Sequence, residues 1–227
     1  MQAQAAIAMV DRPHPFLRQA STNAAASGGR AAKELRLARG RALFYEGDRV
    51  EHFYEILSGT VRCCRIIHDG RRQIYRFVGQ GGMIGLGCQD RYGYSAEAVT
   101  DVVARRHRLA DLDAAMAADD AMRRGVLQAL RDELAATRAQ MLLLGRMSAA
   151  EKLASFLLAL AGESADPDAC IELPMTRSDI ADYLGLTIET VSRKLNELRL
   201  LGVICLDTPT RVRITDLDRI EAIAEAA

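Results

Sequence analysis

The sequence predicts an α+β fold in which a double-stranded β-helix, or jelly roll, is followed by one long helix and a winged helix-turn-helix. Residues 31–108 alternate short apolar runs with glycine turns, a pattern typical of jelly rolls. Residues 109–146 carry apolar side chains at helical spacing, and residues 147–227 contain two capped helical segments followed by strand-like segments. Residues 1–30, rich in Ala, Gln and Ser, predict a mobile or weakly helical leader.

Three apolar runs carry the prediction of the jelly roll, at residues 53–57, 61–67 and 73–78. They contain Val, Ile, Phe and Tyr, which favour strands. Even spacing of short strands and tight turns indicates a double-sheet roll. The turns that divide the runs lie at 46–48, 58–59, 68–70 and 79–82.

Apolar residues in the helical stretch 109–146 recur at alternating spacings of three and four. This spacing forms an a/d seam of about two and a half heptads. Such a seam either packs against its own domain or pairs with the same helix of a second subunit, and periodicity does not distinguish the two. The seam consists of Leu127, Leu130, Leu134, Thr137, Met141 and Leu144.

A capping box at Ser148 and Glu151 predicts a new helix over 149–160. Residues 145–147 are therefore the predicted hinge between the long helix and the C-terminal part. Beyond this helix, small strands are predicted at 171–173, 203–206 and 211–214, with the turn of a wing at 208–210 and a last helix from residue 217.

Two short helices with a glycine turn between them predict the helix-turn-helix. Thr176, with Asp179 three residues later, caps the first helix, and Gly185 permits the tight turn. Thr187 caps the second helix, and Gly202 ends it. The apolar stripe predicted for the second helix consists of Ile188, Val191, Leu195 and Leu198.

The outward face of the second helix begins with Glu189, Ser192 and Arg193. In helix-turn-helix proteins that bind DNA, the first turns of this helix meet base edges in the major groove. Arginine pairs with guanine, a carboxylate accepts from cytosine N4, and a serine hydroxyl can bond either way. These three residues are predicted to read bases. The candidates for contacts to backbone phosphates are Thr176, Arg177, Thr187, Thr190, Lys194 and Arg213.

At these residues the chain resembles the DNA-binding domain of the CRP/FNR superfamily of bacterial transcription regulators, over residues 173–204. The run 189–193, Glu-x-x-Ser-Arg, resembles the FNR and FixK branch. The strand and glycine pattern of residues 46–85 resembles the cyclic-nucleotide-binding-like roll of the same superfamily. The resemblance implies a homodimer paired through the long helix, a two-fold site close to TTGA-N6-TCAA, and activation through RNA polymerase.

The positions that hold a cyclic nucleotide in this superfamily differ in this chain. Met83 stands where the family places a glutamate for the ribose, and Tyr94 stands where it places an arginine for the phosphate. Burying a phosphate without a cationic partner costs roughly several kcal/mol of desolvation free energy. The substitutions therefore predict that no cyclic nucleotide binds.

Cysteine positions argue against a cluster or a metal. The FNR-type iron–sulfur cluster needs four thiolates with several near the N-terminus, but no cysteine precedes Cys63. Cys63 and Cys64 are neighbours on a strand, so their side chains point to opposite faces. Zinc would need His52 or His68 as a further ligand, and haem ligation by a histidine stays open. No metal and no cofactor are predicted.

Two further cysteines, Cys170 and Cys205, lie in the predicted DNA-binding part. We hypothesise that oxidation of either thiol disturbs DNA binding. Five cysteines, an odd number, fit free thiols in a reducing cytoplasm.

Charge and motif patterns bound the remaining function classes. Thirty basic and thirty acidic residues cancel, so a DNA footprint must be local, and basic residues concentrate over 193–213. The absence of a long apolar run predicts no membrane span, and no catalytic motif supports an enzyme. The sequence therefore predicts a cytoplasmic transcription regulator that binds double-stranded DNA. Two alternatives stay open: a regulator gated by haem, a gas or another ligand, and a ligand-binding module whose helix-turn-helix contacts protein.

Overall fold

The computed structural model describes residues 33–162 and 170–225, so the predicted leader and most of the loop after residue 162 lie outside the described residues. The described residues divide into two compact units. The N-terminal unit holds residues 33–71 and 75–135, and the C-terminal unit holds residues 72–74 and 136–225. Among the helices in these ranges, none is long and apolar enough to cross a membrane.

Eight strands form the roll as two antiparallel four-stranded sheets. The first sheet has the order β1-β8-β3-β6 and the second has the order β2-β7-β4-β5. Side chains from both sheets meet in one buried core that includes Ile56, Val61 and Ala96. The double-sheet roll is thus confirmed. The strands are β1 (Lys33–Leu37), β2 (Ala42–Phe44), β3 (His52–Ser58), β4 (Val61–Ile66), β5 (Arg72–Val78), β6 (Met83–Ile84), β7 (Ser95–Ala98) and β8 (Val102–Arg108).

The stretch predicted as one dimerisation helix contains two helices, α1 (Leu109–Ala118) and α2 (Asp120–Arg146). The prediction of a single helix over 109–146 was therefore wrong, because the helix is interrupted at Asp119. The carbonyl of Asp119 accepts the backbone N–H of Arg123 at 3.1 Å and so begins α2. Aspartate is favoured at this capping position, and consecutive acidic residues interact well with a helix N-terminus.

A buried charged cluster links β3 to β8 inside the N-terminal unit. The side chain of Glu55 is 6% exposed, and its Oε2 lies 3.0 Å from Nη1 of Arg105 and 3.7 Å from Nε2 of His107. The imidazole of His107 and the guanidinium of Arg105 hold the pKa of Glu55 below its usual range, against the opposing effect of burial. The folded state therefore favours the ionised carboxylate.

Replacing Glu55 by glutamine is expected to lower the free energy of unfolding at pH 7 by about 1–3 kcal/mol, since the partly buried guanidinium of Arg105 loses its charge-assisted acceptor. A carboxylate with a depressed folded pKa stabilises above its unfolded pKa, and this stability is lost as pH falls through the folded pKa. Urea unfolding at pH 7 and at about pH 3 measures the difference. The gap between wild type and Glu55→Gln should shrink at the lower pH; an equal gap at both would contradict the assignment.

The C-terminal unit is a winged helix-turn-helix. Its three strands form an antiparallel sheet in the order β10-β11-β9. Ser148 and Glu151 form the predicted capping box, with Ser148 N donating to Glu151 Oε2 at 3.0 Å. The elements are α3 (Ala149–Ala161), β9 (Cys170–Glu172), α4 (Arg177–Leu184), α5 (Ile188–Leu200), β10 (Ile204–Thr208), β11 (Arg211–Ile214) and α6 (Leu217–Ala224).

The predicted apolar stripe of α5 is buried except at its first member. Val191, Leu195 and Leu198 have exposed fractions of 0%, 2% and 3%, whereas Ile188 is 46% exposed. Placing Ile188 in the core was therefore wrong. It is the first residue of the helix, and the buried contacts begin one turn later at Val191.

Candidate nucleic-acid interface

Local hydrogen bonds fix both helices of the helix-turn-helix. Thr176 and Asp179 form the predicted capping box of α4: the Thr176 hydroxyl accepts from Asp179 N at 3.1 Å, and Thr176 N donates to Asp179 Oδ2 at 3.0 Å. Gly185 has φ +63°, a conformation that L side chains rarely adopt, and this allows the tight turn. Thr187 caps α5 by accepting from Thr190 N at 3.2 Å. The capping predicted from sequence is therefore present.

The three predicted base-reading residues share the exposed face at the start of α5. Glu189, Ser192 and Arg193 are all exposed, because Val191 and Leu195 turn the opposite face into the core. The Arg193 side chain is 65% exposed, and its Nε lies 3.9 Å from Oε1 of Glu197. An exposed ion pair at this distance contributes little, so the guanidinium can turn to another acceptor.

Electrostatics keep Glu189 ionised. Its own backbone N–H and the Thr187 hydroxyl donate to the carboxylate, and these bonds hold the pKa of Glu189 below its usual range. An ionised carboxylate only accepts hydrogen bonds. Glu189 can therefore accept from an amino group such as cytosine N4.

The predicted phosphate contacts differ in how far their side chains are already engaged. Lys194 Nζ lies 2.5 Å from Oε2 of Glu197, and Arg213 Nη2 lies 3.2 Å from Oδ1 of Asp207. Arg177 Nη2 donates to the carbonyl of Pro209 at 3.0 Å. The hydroxyls of Thr176, Thr187 and Thr190 serve in the two caps. The structure thus gathers these six residues around the helix-turn-helix and the wing.

The predicted seam residues on α2 fall into two groups. Leu130 and Leu144 are partly buried, Leu130 against the cluster that includes Phe53. The remaining members point outward: Leu127 is 47% exposed, Leu134 50% and Met141 69%, and Thr137 is also exposed. Sequence reasoning missed Leu142, which is 68% exposed; its position beside Met141 in an apolar run was the available signal.

Aromatic side chains pack around Tyr94, the residue at the position where the resemblance implies an arginine. Phe44 and Tyr92 stack with ring centroids 3.5 Å apart, and Tyr94 packs against Phe44 at 5.6 Å. The Tyr94 hydroxyl accepts the backbone N–H of Gly85 at 3.2 Å. Burial raises the pKa of Tyr94, so the phenol stays neutral.

The cysteines divide by accessibility. Cys63 and Cys64 are buried, and burial raises the pKa of the Cys63 thiol to about 12, which leaves it unreactive at neutral pH. Cys170 is exposed, whereas Cys205 Sγ donates to Oδ1 of Asp207 at 3.3 Å. Within residues 33–162 and 170–225, no group of three or more His, Cys, Asp or Glu side chains could hold a metal ion.

The two thiols of the wing sheet flank one arginine. In the register of the sheet, Arg213 pairs with Cys205 on β10 and with Cys170 on β9. The hydrogen bond to Asp207 raises the pKa of Cys205, which makes this thiol the poorer nucleophile. Two equivalents of peroxide would oxidise Cys170 through the sulfenic acid to the sulfinic acid, which is ionised at neutral pH and would place a negative charge beside Arg213.

We therefore expect mild peroxide treatment to weaken DNA binding by wild type several-fold through Cys170. Cys170→Ser should retain its affinity, and Cys205→Ser should lose affinity as wild type does. Binding titrations before and after treatment measure the change. Equal losses in wild type and Cys170→Ser would exclude Cys170 as the responsive thiol.

Comparison with known proteins agrees with this architecture. The model of the Crp-like helix-turn-helix domain matches residues 151–223, and that of the cyclic nucleotide-binding domain matches residues 34–119. The nitrogen fixation regulation protein FixK of Azorhizobium caulinodans is 39% identical over 79% of this chain and 74% of its own length. The transcriptional activatory protein AadR of Rhodopseudomonas palustris is 35% identical over 87% of this chain and 83% of its own length.

A solved structure shows the same fold. FixK2 from Bradyrhizobium japonicum superimposes with a TM-score of 0.82 at 33% identity, covering 86% of this chain and 98% of that one. The relatives are named as regulators and not as enzymes. The chain therefore belongs to the FixK-like branch of the CRP/FNR superfamily and is a DNA-binding transcription regulator.

Proposed function

We propose that the protein is a homodimeric transcription activator that reads a TTGA-N6-TCAA-like palindrome through Glu189, Ser192 and Arg193. One observation carries the proposal: these three polar side chains are exposed together on the first turns of a helix whose other face is buried. Arg193 pairs with a guanine, Glu189 accepts from a cytosine amino group, and Ser192 contacts a base edge or a neighbouring phosphate.

Dimerisation supplies the specificity that one short half-site lacks. The exposed stripe of Leu127, Leu134 and Met141 repeats every seven residues along α2, and this repeat favours pairing with a second copy of the helix. Two copies of α5 one DNA turn apart would then read both halves of a palindrome. Thr137 is exposed as well, whereas Leu130 and Leu144 are partly buried within the single chain.

The roll supports a regulator that needs no cyclic nucleotide and no iron–sulfur cluster. Tyr94 and Met83 stand at the two ligand positions that the resemblance implies, and neither carries the required charge. The rings of Phe44 and Tyr92 stack on each other, and Phe44 packs against Tyr94 inside the roll. A nucleotide phosphate placed here would have to displace packed aromatic side chains. The cation beside this place, Arg76, already donates from Nη2 to the carbonyl of Met83 at 2.6 Å, and its Nη1 lies 3.5 Å from Oε1 of Glu133.

Activation follows from the relatives. One of them is named as a transcriptional activatory protein, so we assign the same direction of control here, through contact with RNA polymerase in the cytoplasm.

Fluorescence anisotropy with a labelled TTGA-N6-TCAA duplex and a scrambled duplex of equal composition tests the proposal. Ligand-free protein should bind the palindrome at least about 10³-fold more tightly, with an affinity that falls steeply as salt rises. Equal binding to both duplexes would refute sequence-specific recognition. A visible absorption spectrum of the same sample tests gating by haem.

A further inference from the structure

The side chain of Arg177 is hydrogen-bonded to the turn of the wing. Arg177 is the first residue of α4, and its Nη2 donates to the carbonyl of Pro209 at 3.0 Å, across 32 residues of sequence. Its Nη1 is buried and has no hydrogen-bond partner among the residues the structure describes. A buried nitrogen cannot reach a phosphate without moving, so this geometry favours a contact within the protein over a direct contact to DNA.

The turn that Arg177 holds is exposed and rich in hydroxyl groups. Thr208, Pro209 and Thr210 are all exposed. The Thr208 hydroxyl accepts from Thr210 N at 3.3 Å, and the two hydroxyl oxygens are 3.3 Å apart. Threonine hydroxyls and free backbone N–H groups are common ligands of DNA phosphates.

Pairing within the wing is irregular just before this turn. The register of β10 against β11 shifts between Leu206 and Thr208. A bulge bends its strand and interrupts the ladder, so the hairpin alone does not fix where the turn points. The backbone bond from Leu173 N to Thr210 O, at 2.8 Å, holds one side of the turn, and Arg177 holds the other.

We propose that Arg177 is a positioning residue that fixes the wing turn so that the hydroxyls of Thr208 and Thr210 contact a DNA phosphate. The first helix of a helix-turn-helix crosses the DNA backbone, and Arg177 ties the turn to the N-terminus of that helix. This assignment rests on the proposed function and gives Arg177 a role other than the direct phosphate contact predicted from sequence.

A double-mutant cycle separates the two roles. Arg177→Ala and the isosteric pair Thr208→Val with Thr210→Val should each weaken binding to the palindrome about five- to tenfold. If Arg177 acts through the wing, adding Arg177→Ala to the valine variant should cause less than a twofold further loss. If the fold-losses in affinity of Arg177→Ala and of the valine variant multiply in the combined variant, the positioning role is overturned, because Arg177 then makes an independent contact.

Phosphate ethylation interference gives a second readout that a general loss of stability would not produce. Arg177→Ala should lose interference at the phosphates contacted by the wing and keep the base preference of α5. Arg177→Gln, neutral but still a donor, serves if the alanine variant does not fold, and it should keep more of the wing signal than the valine variant keeps. If both Arg177 variants keep the interference signal at every phosphate, the proposal is overturned.

The affinity of the wild type for the palindromic and the scrambled duplex is measured in parallel with every variant. If wild type does not discriminate, the proposed function fails and the wing assignment fails with it. If wild type discriminates and the cycle is multiplicative, only the role of Arg177 is wrong.

Discussion

Replacing Arg193 by alanine is expected to cost about 1–3 kcal/mol of binding free energy per half-site and to remove the preference for one base pair in each half. Arg193 is 65% exposed, and its Nε lies 3.9 Å from Oε1 of Glu197, so the guanidinium is available for guanine. Binding selection on duplexes with randomised half-sites measures both effects. The substitution lies on the exposed face of α5, so the fold should remain intact.

Lys194→Ala is the matched control, because Lys194 is the next residue and carries the same charge. A phosphate contact adds affinity without sequence information. Lys194→Ala should weaken all duplexes similarly and lower the salt dependence by about one unit of slope. If Arg193→Ala keeps the wild-type base preference and only the salt dependence changes, Arg193 contacts the backbone and the assignment is wrong.

A charge introduced at the centre of the seam is expected to have the second large effect on DNA binding. Leu134→Glu should yield a monomer and lower the affinity for the palindrome by about 10²-fold or more, because the second half-site then no longer binds as a linked event. Leu134 is 50% exposed in the single chain, so the substitution costs the isolated fold little. Sedimentation velocity and palindrome titrations measure the two outcomes.

Ala135→Glu is the control for this variant. Ala135 is exposed and adjacent on α2, but it lies about 100° around the helix from the seam, so the same charge should leave the dimer unaffected. A Leu134→Glu dimer, or equal damage from Ala135→Glu, would contradict pairing through this stripe.

Local signals explain why so much of the C-terminal unit could be predicted. The caps at Ser148, Thr176 and Thr187 bond to backbone groups three residues away, so the sequence alone contains both partners. Gly185 and Gly202 adopt positive φ where the turns were expected. The outward position of the base-reading trio follows from the same short-range periodicity.

Longer-range contacts account for what could not be predicted. Periodicity placed Ile188 in the core, but whether a first-turn residue is covered depends on what packs there. Periodicity also did not show that Leu130 packs on its own unit while Leu134 remains exposed. The stack of Phe44 on Tyr92 and the bond of Arg177 to Pro209 each join residues dozens of positions apart. Asp119 was missed because one capping residue interrupts a helical pattern without a Gly or Pro signal.

Selection of bound duplexes from a fully random pool by ligand-free wild type tests the central claim most directly. We predict enrichment of two inverted four-base half-sites whose centres lie one helical turn apart, about 10 base pairs. A single unpaired half-site would contradict the symmetric dimer. A pool with no enriched sequence would contradict base reading by Glu189, Ser192 and Arg193.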